Sequence, residues 1–191
     1  MGQESESRNP ESCIAVEILE HPEEKDWARC RMLALATQGK ESSKPVSDEW
    51  KKAMLRAGHS PIRTLRFLVK MDIPYYCSVH LCRHKIGVEH FVRSQRTDRN
   101  PTGEDRSQFP QGAMVTHVME INAQALMQMA HMRLCNKADI ATRSAVRMLC
   151  QKITELNPEF KEFLVPKCLY LRGCNEIYPC GKMGQDAFIL Q

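Results

Sequence analysis

The spacing of apolar residues changes period several times along the chain, and each change marks an element. Ile14 to Leu19 alternates apolar and polar side chains, the period of a strand. After it, Pro22-Glu23-Glu24 places a proline and two acids where a helix begins, and Trp27, Cys30, Leu33 and Leu35 supply its apolar positions before Gly39. Ser47 is placed to cap a second helix, with Trp50, Ala53, Met54 and Ala57 spaced for one buried face until Gly58. From Arg63 the period returns to two through Leu65, Phe67, Val69 and Met71, predicting a strand over Arg63 to Ile73 that Pro74 halts. Tyr75 to Ile86 reads as a helix and Val115 to Ile121 as a strand. Asn122 to Leu134, rich in Ala, Leu and Met, is the clearest helix, with Asn122 as its cap. Asp139 to Leu156 carries Ala141, Ala145, Met148, Leu149 and Leu156 along one side and stops at Asn157-Pro158. The expected fold is α+β, a small, mostly antiparallel sheet packed with helices.

Between these elements the chain divides into a flexible arm over 1–12, one domain over 13–165 and a cysteine-containing tail over 166–191. Pro101, Gly103, Pro110 and Gly112 make Thr97 to Ala113 a loop of the kind that serves as a lid. Apolar content of 42% and charged content of 26% fit an ordinary globular protein and exclude disordered and fibrous classes. No apolar run approaches the roughly 20 residues that cross a bilayer, and Met1 to Glu11 lacks the apolar centre of a secretory leader, so the cytoplasm is the expected location. The odd count of nine cysteines, scattered from Cys13 to Cys180, favours free thiols over a disulfide framework. Cys168, Cys174 and Cys180 lack the close CxxC pair of structural zinc, and no metal ligands are assigned. Met127, Met129 and Met132 read as core filling.

Charge adds a more specific signal. From Arg56 to Arg99 there are nine Lys/Arg against three Asp/Glu, a balance of +6, whereas the whole chain carries only +4. Positive charge concentrated in one stretch focuses potential on an anion. Within it, His80, Arg83, His84 and Gly87 fall at i, i+3, i+4 and i+7, which on a helix makes a basic stripe. Arg83-His84-Lys85, with Ser94 and Arg96, offers charge-assisted and hydroxyl hydrogen bonds suited to phosphate. The bland alternative is a solvated basic face. Further on, Asn122 and Arg133 lie within about 20° of each other on a helical wheel and about 16 Å apart, so one elongated ligand can touch both.

Two blocks of this sequence resemble the flavin-dependent thymidylate synthases. The first runs from Gly58-His59-Ser60-Pro61 through Ile73-Pro74 to Cys82-Arg83-His84-Lys85-Ile86 and Ser94-Gln95-Arg96. The second runs from Ile121-Asn122-Ala123-Gln124-Ala125-Leu126-Met127 to Met132-Arg133-Leu134. Together they cover about half the chain, and two blocks in the right order weigh more than either alone. The resemblance implies that Arg83, His84, Lys85, Asn122, Gln124 and Gln128 contact FAD, that His80, Arg83, Ser94, Gln95, Arg96 and Arg133 hold deoxyuridine monophosphate, and that Arg133 is catalytic. It further implies methylenetetrahydrofolate and NADPH as co-substrates, no cysteine nucleophile, and a homotetramer whose sites form between subunits. A guanidinium beside the uracil ring stabilises the negative charge that develops when carbon 5 becomes nucleophilic.

The sequence also departs from that family's pattern. One extra residue separates the triplet from Ser94, and Glu89-His90-Phe91-Val92-Arg93 replaces an Asn-Glu pair. Thr64 stands for a histidine, Thr116-His117 for a strand arginine, Gln124 for an arginine and His80 for a glutamine. These changes keep open a flavin-dependent methyl or hydroxymethyl transfer to another pyrimidine nucleotide. A non-catalytic nucleic-acid-binding module is the rival of another class. Against it, aromatic content is 6% and Phe91 alone interrupts the basic run, too few rings for base stacking.

Overall fold

A computed structural model describes residues 13–100 and 102–182; the expected arm over 1–12 and the end of the tail lie outside them. The strands are β1 (Ala15–Glu20), β2 (Arg66–Pro74), β3 (Val88–Val92) and β4 (Met114–Asn122), in the order β1-β2-β4-β3. Every pairing is antiparallel. The longer helices are α1 (Glu24–Ala36), α2 (Asp48–Ala57), α4 (Ala123–Arg133) and α5 (Ile140–Leu156), and α3 (Tyr75–Leu81) and α6 (Lys167–Tyr170) are short. This is the α+β architecture the periodicity predicts.

β2 and β4 pair without interruption from Arg66 opposite Asn122 to Pro74 opposite Met114. Phe67, Val69, Met71 and Ile73 of β2, with Val115, Met119 and Ile121 of β4, turn to one face and are at most 2% exposed. The core there includes Leu126, Met129 and Ala130 of α4 and Ala145, Val146, Leu149 and Ile153 of α5. The other face is polar: Lys70 meets Glu17 across β1 and β2, Arg66 meets Glu120 diagonally, and Thr116 donates to Asp72 at 2.7 Å. A two-sided sheet of this kind reads as alternation in the sequence, which is why β1, β2 and β4 were legible.

Helix starts follow side-chain chemistry. Ser47 Oγ accepts from Trp50 N, Asn122 Oδ1 from Ala125 N and Asp139 Oδ2 from Thr142 N, each occupying a backbone donor the helix leaves unpaired. Gly58 ends α2 in the left-handed region at φ +64°. The α2 face differs from its apolar spacing, since Ala53 and Ala57 are exposed while Lys51 is buried beside Met54 and Leu55. The Lys51 ammonium escapes an unpaired burial through its contact with Glu24 of α1. Met127 and Met129 are buried as expected, but Met132, on the outer side of α4, is 46% exposed.

Two boundaries move. β2 begins at Arg66 because Ser60–Thr64 winds into a 3-10 turn, with Pro61 at its start and Thr64 Oγ1 donating to Pro61 O at 2.8 Å. α3 ends at Leu81, five residues before the expected Ile86, so Arg83, His84 and Gly87 are no helical stripe. A turn over 82–87 feeds β3, which was not foreseen, and the sheet wins because β3 gains a full antiparallel ladder with β4, extended by Asn122 N donating to Gly87 O at 3.0 Å. Gly87 makes this possible: its φ is +76°, and a Cβ there would collide with the Asn122 side chain. The tail from Val165 is not wholly irregular, since it contains α6.

Gly87→Ala is expected to destabilise the fold by about 2–3 kcal/mol, against about 1 kcal/mol for Gly39→Ala, which shares a positive φ but faces open space. Urea unfolding of the two variants and the parent measures both, and equal losses would mean that the Asn122 contact is unimportant.

Candidate functional site

The turn over 82–87 carries Arg83, His84 and Lys85 to the surface above α4. Arg83 and Lys85 are exposed and His84 is half-buried. Arg133, at the last turn of α4, reaches this turn: its Nε donates to His84 Nε2 at 3.0 Å and its Nη2 to His80 O at 2.8 Å. Because a guanidinium only donates, His84 Nε2 carries no proton. Burial, with Arg133, His90 and Arg83 nearby, pushes the His84 imidazole down to about 4, so the ring stays neutral beside the cations. Burial and the neighbouring Arg83 also lower Arg133. Among the described residues, Arg83, Lys85 and Arg133 have no carboxylate within salt-bridge distance. A group of cations left unneutralised in one place is an anion site in electrostatic terms.

Two adjoining clefts open there. One, of about 390 Å³, is lined by Arg83, His84, Lys85, Ile86, Ala125 and Gln128. The other, of about 650 Å³, shares Ile86, Ala125 and Gln128 and extends past Gly87, Asn122 and Gln124 to Arg63. All six residues assigned to the cofactor from sequence, Arg83, His84, Lys85, Asn122, Gln124 and Gln128, border one or other of these adjoining clefts. Asn122 does so while capping α4. Gln124 Oε1 is held by Arg63 Nε at 2.5 Å.

Arg63 is the residue at this site that the sequence reading did not single out. It was placed on a strand, whereas the 3-10 turn after Pro61 projects it toward α4. The Ser60-Pro61 start of that turn was the available signal.

The residues assigned to the nucleotide divide. Arg83 and Arg133 lie together, as described. His80 contributes its carbonyl to Arg133, but its ring turns to α5, with Nδ1 2.9 Å from Thr142 Oγ1. Ser94, Gln95 and Arg96 follow β3, at the end opposite Gly87. There Arg96 forms a two-point pair with Asp98 at 2.9 and 2.7 Å, and Gln95 Oε1 accepts from Arg106 Nε at 3.1 Å. Arg106 is buried and also donates to Met114 O at 3.3 Å, so the loop expected as a lid is anchored near its middle.

The cysteines of the tail lie apart from these clefts. Cys168, Cys174 and Cys180 line a pocket of about 140 Å³ with Cys135, which follows α4. Burial, with Cys135 and Cys174 nearby, raises the Cys168 thiol.

No family model matches the chain, and no curated protein sequence matches it. The architecture is nonetheless one already seen among solved structures. Thymidylate synthase X from Helicobacter pylori, crystallised with FAD and dUMP, superposes with a TM-score of 0.62 over 82% of this chain and 99% of that one, at 16% identity. At that identity the likeness is one of fold.

Thiol reactivity should follow burial. Cys13, Cys174 and Cys180 are exposed, whereas burial pushes Cys30 up to about 11 and Cys150 up to about 12. Alkylation of the native protein at neutral pH, read by peptide mass spectrometry, is expected to label the exposed three first and to reach Cys30 and Cys150 only after denaturant is added.

Proposed function

We propose that this protein is a flavin-dependent thymidylate synthase, which transfers a one-carbon unit from methylenetetrahydrofolate to carbon 5 of deoxyuridine monophosphate with NADPH as reductant. The observation that carries this reading is the joining of Arg133 to the cation-lined depression through His84, in a fold shared with a protein crystallised with FAD and dUMP. Arg83 and Lys85 would hold the flavin's phosphates by charge-assisted hydrogen bonds, with the Gln124 and Gln128 amides and the amino group of Asn122 as further polar contacts. The donor set fits: cations for the diphosphate, amides for ring edges, and Ile86 and Ala125 as apolar surface. FAD, once bound, supplies the redox chemistry.

The chain's own contribution is positioning and electrostatics. Arg133 is fixed by two hydrogen bonds and partly desolvated, so its charge acts in a medium of low polarity on a pyrimidine ring placed against it. Neutral His84 orients the guanidinium without cancelling its charge. Arg83 serves both ligands, being near Arg133 and at the cleft rim. Ser94, Gln95 and Arg96 sit at the far end of β3, and in this reading they complete the nucleotide site of a neighbouring copy in a homotetramer.

A second acceptor, another pyrimidine nucleotide, is favoured by one observation. Gln124 stands where the family pattern has an arginine and is occupied by Arg63, which changes the cations offered to the ligand. A panel of pyrimidine nucleotides assayed side by side separates the two.

The purified protein is expected to bind FAD, to show a bound-flavin absorption spectrum that changes on adding dUMP, and to form thymidylate. Arg83→Ala should weaken FAD binding roughly tenfold to a hundredfold. Arg133→Ala should lower turnover by about 10²–10³ with a smaller change in FAD affinity. Protein that remains colourless with added FAD and forms no methylated nucleotide would overturn the reading.

A further inference from the structure

Behind the cationic turn lies a second group of side chains that the proposed reaction does not use. Cys82, His90 and His117 each present a ligand atom, and these atoms all lie within 4.8 Å of one another. They come from three places: the residue that caps the end of α3, the middle of β3 and the middle of β4.

His117 is fully buried on the core face of the sheet, between Met71 opposite on β2 and Val92 opposite on β3. An imidazole in that apolar row costs stability unless both nitrogens are served. Its Nε2 lies 2.9 Å from His90 Nδ1, but its Nδ1 has no hydrogen-bond partner.

His90 faces Met119 across the ladder and so stands diagonal to His117 on the same side of the sheet. Its Nε2 lies 2.8 Å from His84 O. A carbonyl only accepts, so Nε2 carries the proton and Nδ1 turns its lone pair to His117. Metal-binding histidines show the same arrangement, the far nitrogen tied to a backbone carbonyl and the near one bare.

We propose that Cys82, His90 and His117 bind a divalent transition metal of the zinc type, with three protein ligands and a fourth position open to water. Ligand atoms around tetrahedral zinc, held at about 2.0–2.3 Å from the ion, stand roughly 3.3–3.8 Å apart, so the ion requires shifts of only about 1 Å and loss of the His90–His117 hydrogen bond. One sulfur and two imidazole nitrogens are a borderline-soft set that suits zinc over magnesium or calcium. On binding, the Cys82 thiol loses its proton to solvent, so Zn²⁺ and a thiolate leave a net single positive charge beneath the turn. Because Cys82 opens that turn and His90 follows it, the ion clamps both ends of the segment bearing Arg83, His84 and Lys85. The inference is independent of which nucleotide or cofactor occupies the clefts.

The test is a comparison of metal content. Full-length protein is stripped with a chelator, re-equilibrated with zinc, desalted and analysed for metal per chain, alongside Cys82→Ser and His117→Asn. The parent is expected to hold one more zinc per chain than either variant, whatever the tail cysteines bind. With Co²⁺ in place of zinc, the parent's thiolate-to-cobalt and tetrahedral visible bands should weaken in Cys82→Ser by the share of one site. Should His117→Asn fail to fold, Cys82→Ser, a near-isosteric change at a partly exposed residue, decides alone. Equal zinc content and equal cobalt spectra in the parent and in folded Cys82→Ser, confirmed by circular dichroism, would overturn the proposal.

Discussion

The pairing of Val88–Val92 with β4 determines where the cations of the turn over 82–87 sit. Without it, the basic residues after α3 would continue a helix, with His80, Arg83 and His84 along one side of it. With it, the chain must reverse within six residues, and the reversal lifts Arg83, His84 and Lys85 over α4 while Asn122 N closes onto Gly87 O. The local cost, a positive φ and a backbone pressed against Asn122, is met by a glycine. One constraint thus links an edge strand, a helix cap and a cation cluster.

The cluster itself is an unbalanced arrangement. Several cations elsewhere are paired with carboxylates: Lys51 has Glu24, Arg56 has Glu162, and Arg66 has Glu120. Around the clefts no carboxylate plays that part among the described residues, and Arg133 leans on a neutral imidazole and a carbonyl instead. Such a site holds its cations at the expense of mutual repulsion between Arg83 and Arg133, which an anionic ligand relieves. The result is a concentration of positive charge built into the fold.

How far this was legible in the sequence depends on the range of the forces involved. β1, β2 and β4 declared themselves by period, α2 and α4 by capping residues at Ser47 and Asn122, and α5 by its apolar spacing and the Asn157-Pro158 stop, because alternation, capping and breakers are local. β3 did not, since Glu89, His90 and Arg93 masked a short alternation whose partner strand lies more than twenty residues away. The six residues assigned to the cofactor rest on an ordered pair of motifs, and they line two adjoining clefts. The ring of His80 turns to α5, a direction that no one-dimensional spacing encodes once the helix stops at Leu81. Arg63 was hidden by a 3-10 turn mistaken for a strand. Cys82, His90 and His117 are separated by unequal intervals on three elements, so nothing short of the sheet register brings them together.

Trp27 ties the two ends of the domain. Its indole Nε1 donates to Glu159 Oε1 at 2.8 Å, its ring lies 6.1 Å from that of Phe160, and Asn157 Nδ2 donates to Pro22 O at 2.9 Å. These contacts span more than 130 positions. A nascent chain emerging from the ribosome therefore lacks the Glu159 and Phe160 partners of Trp27 until nearly the whole domain has been made, and this closure falls late in synthesis. Until then the indole and the neighbouring strand edge are open to chaperones or to other unfinished chains.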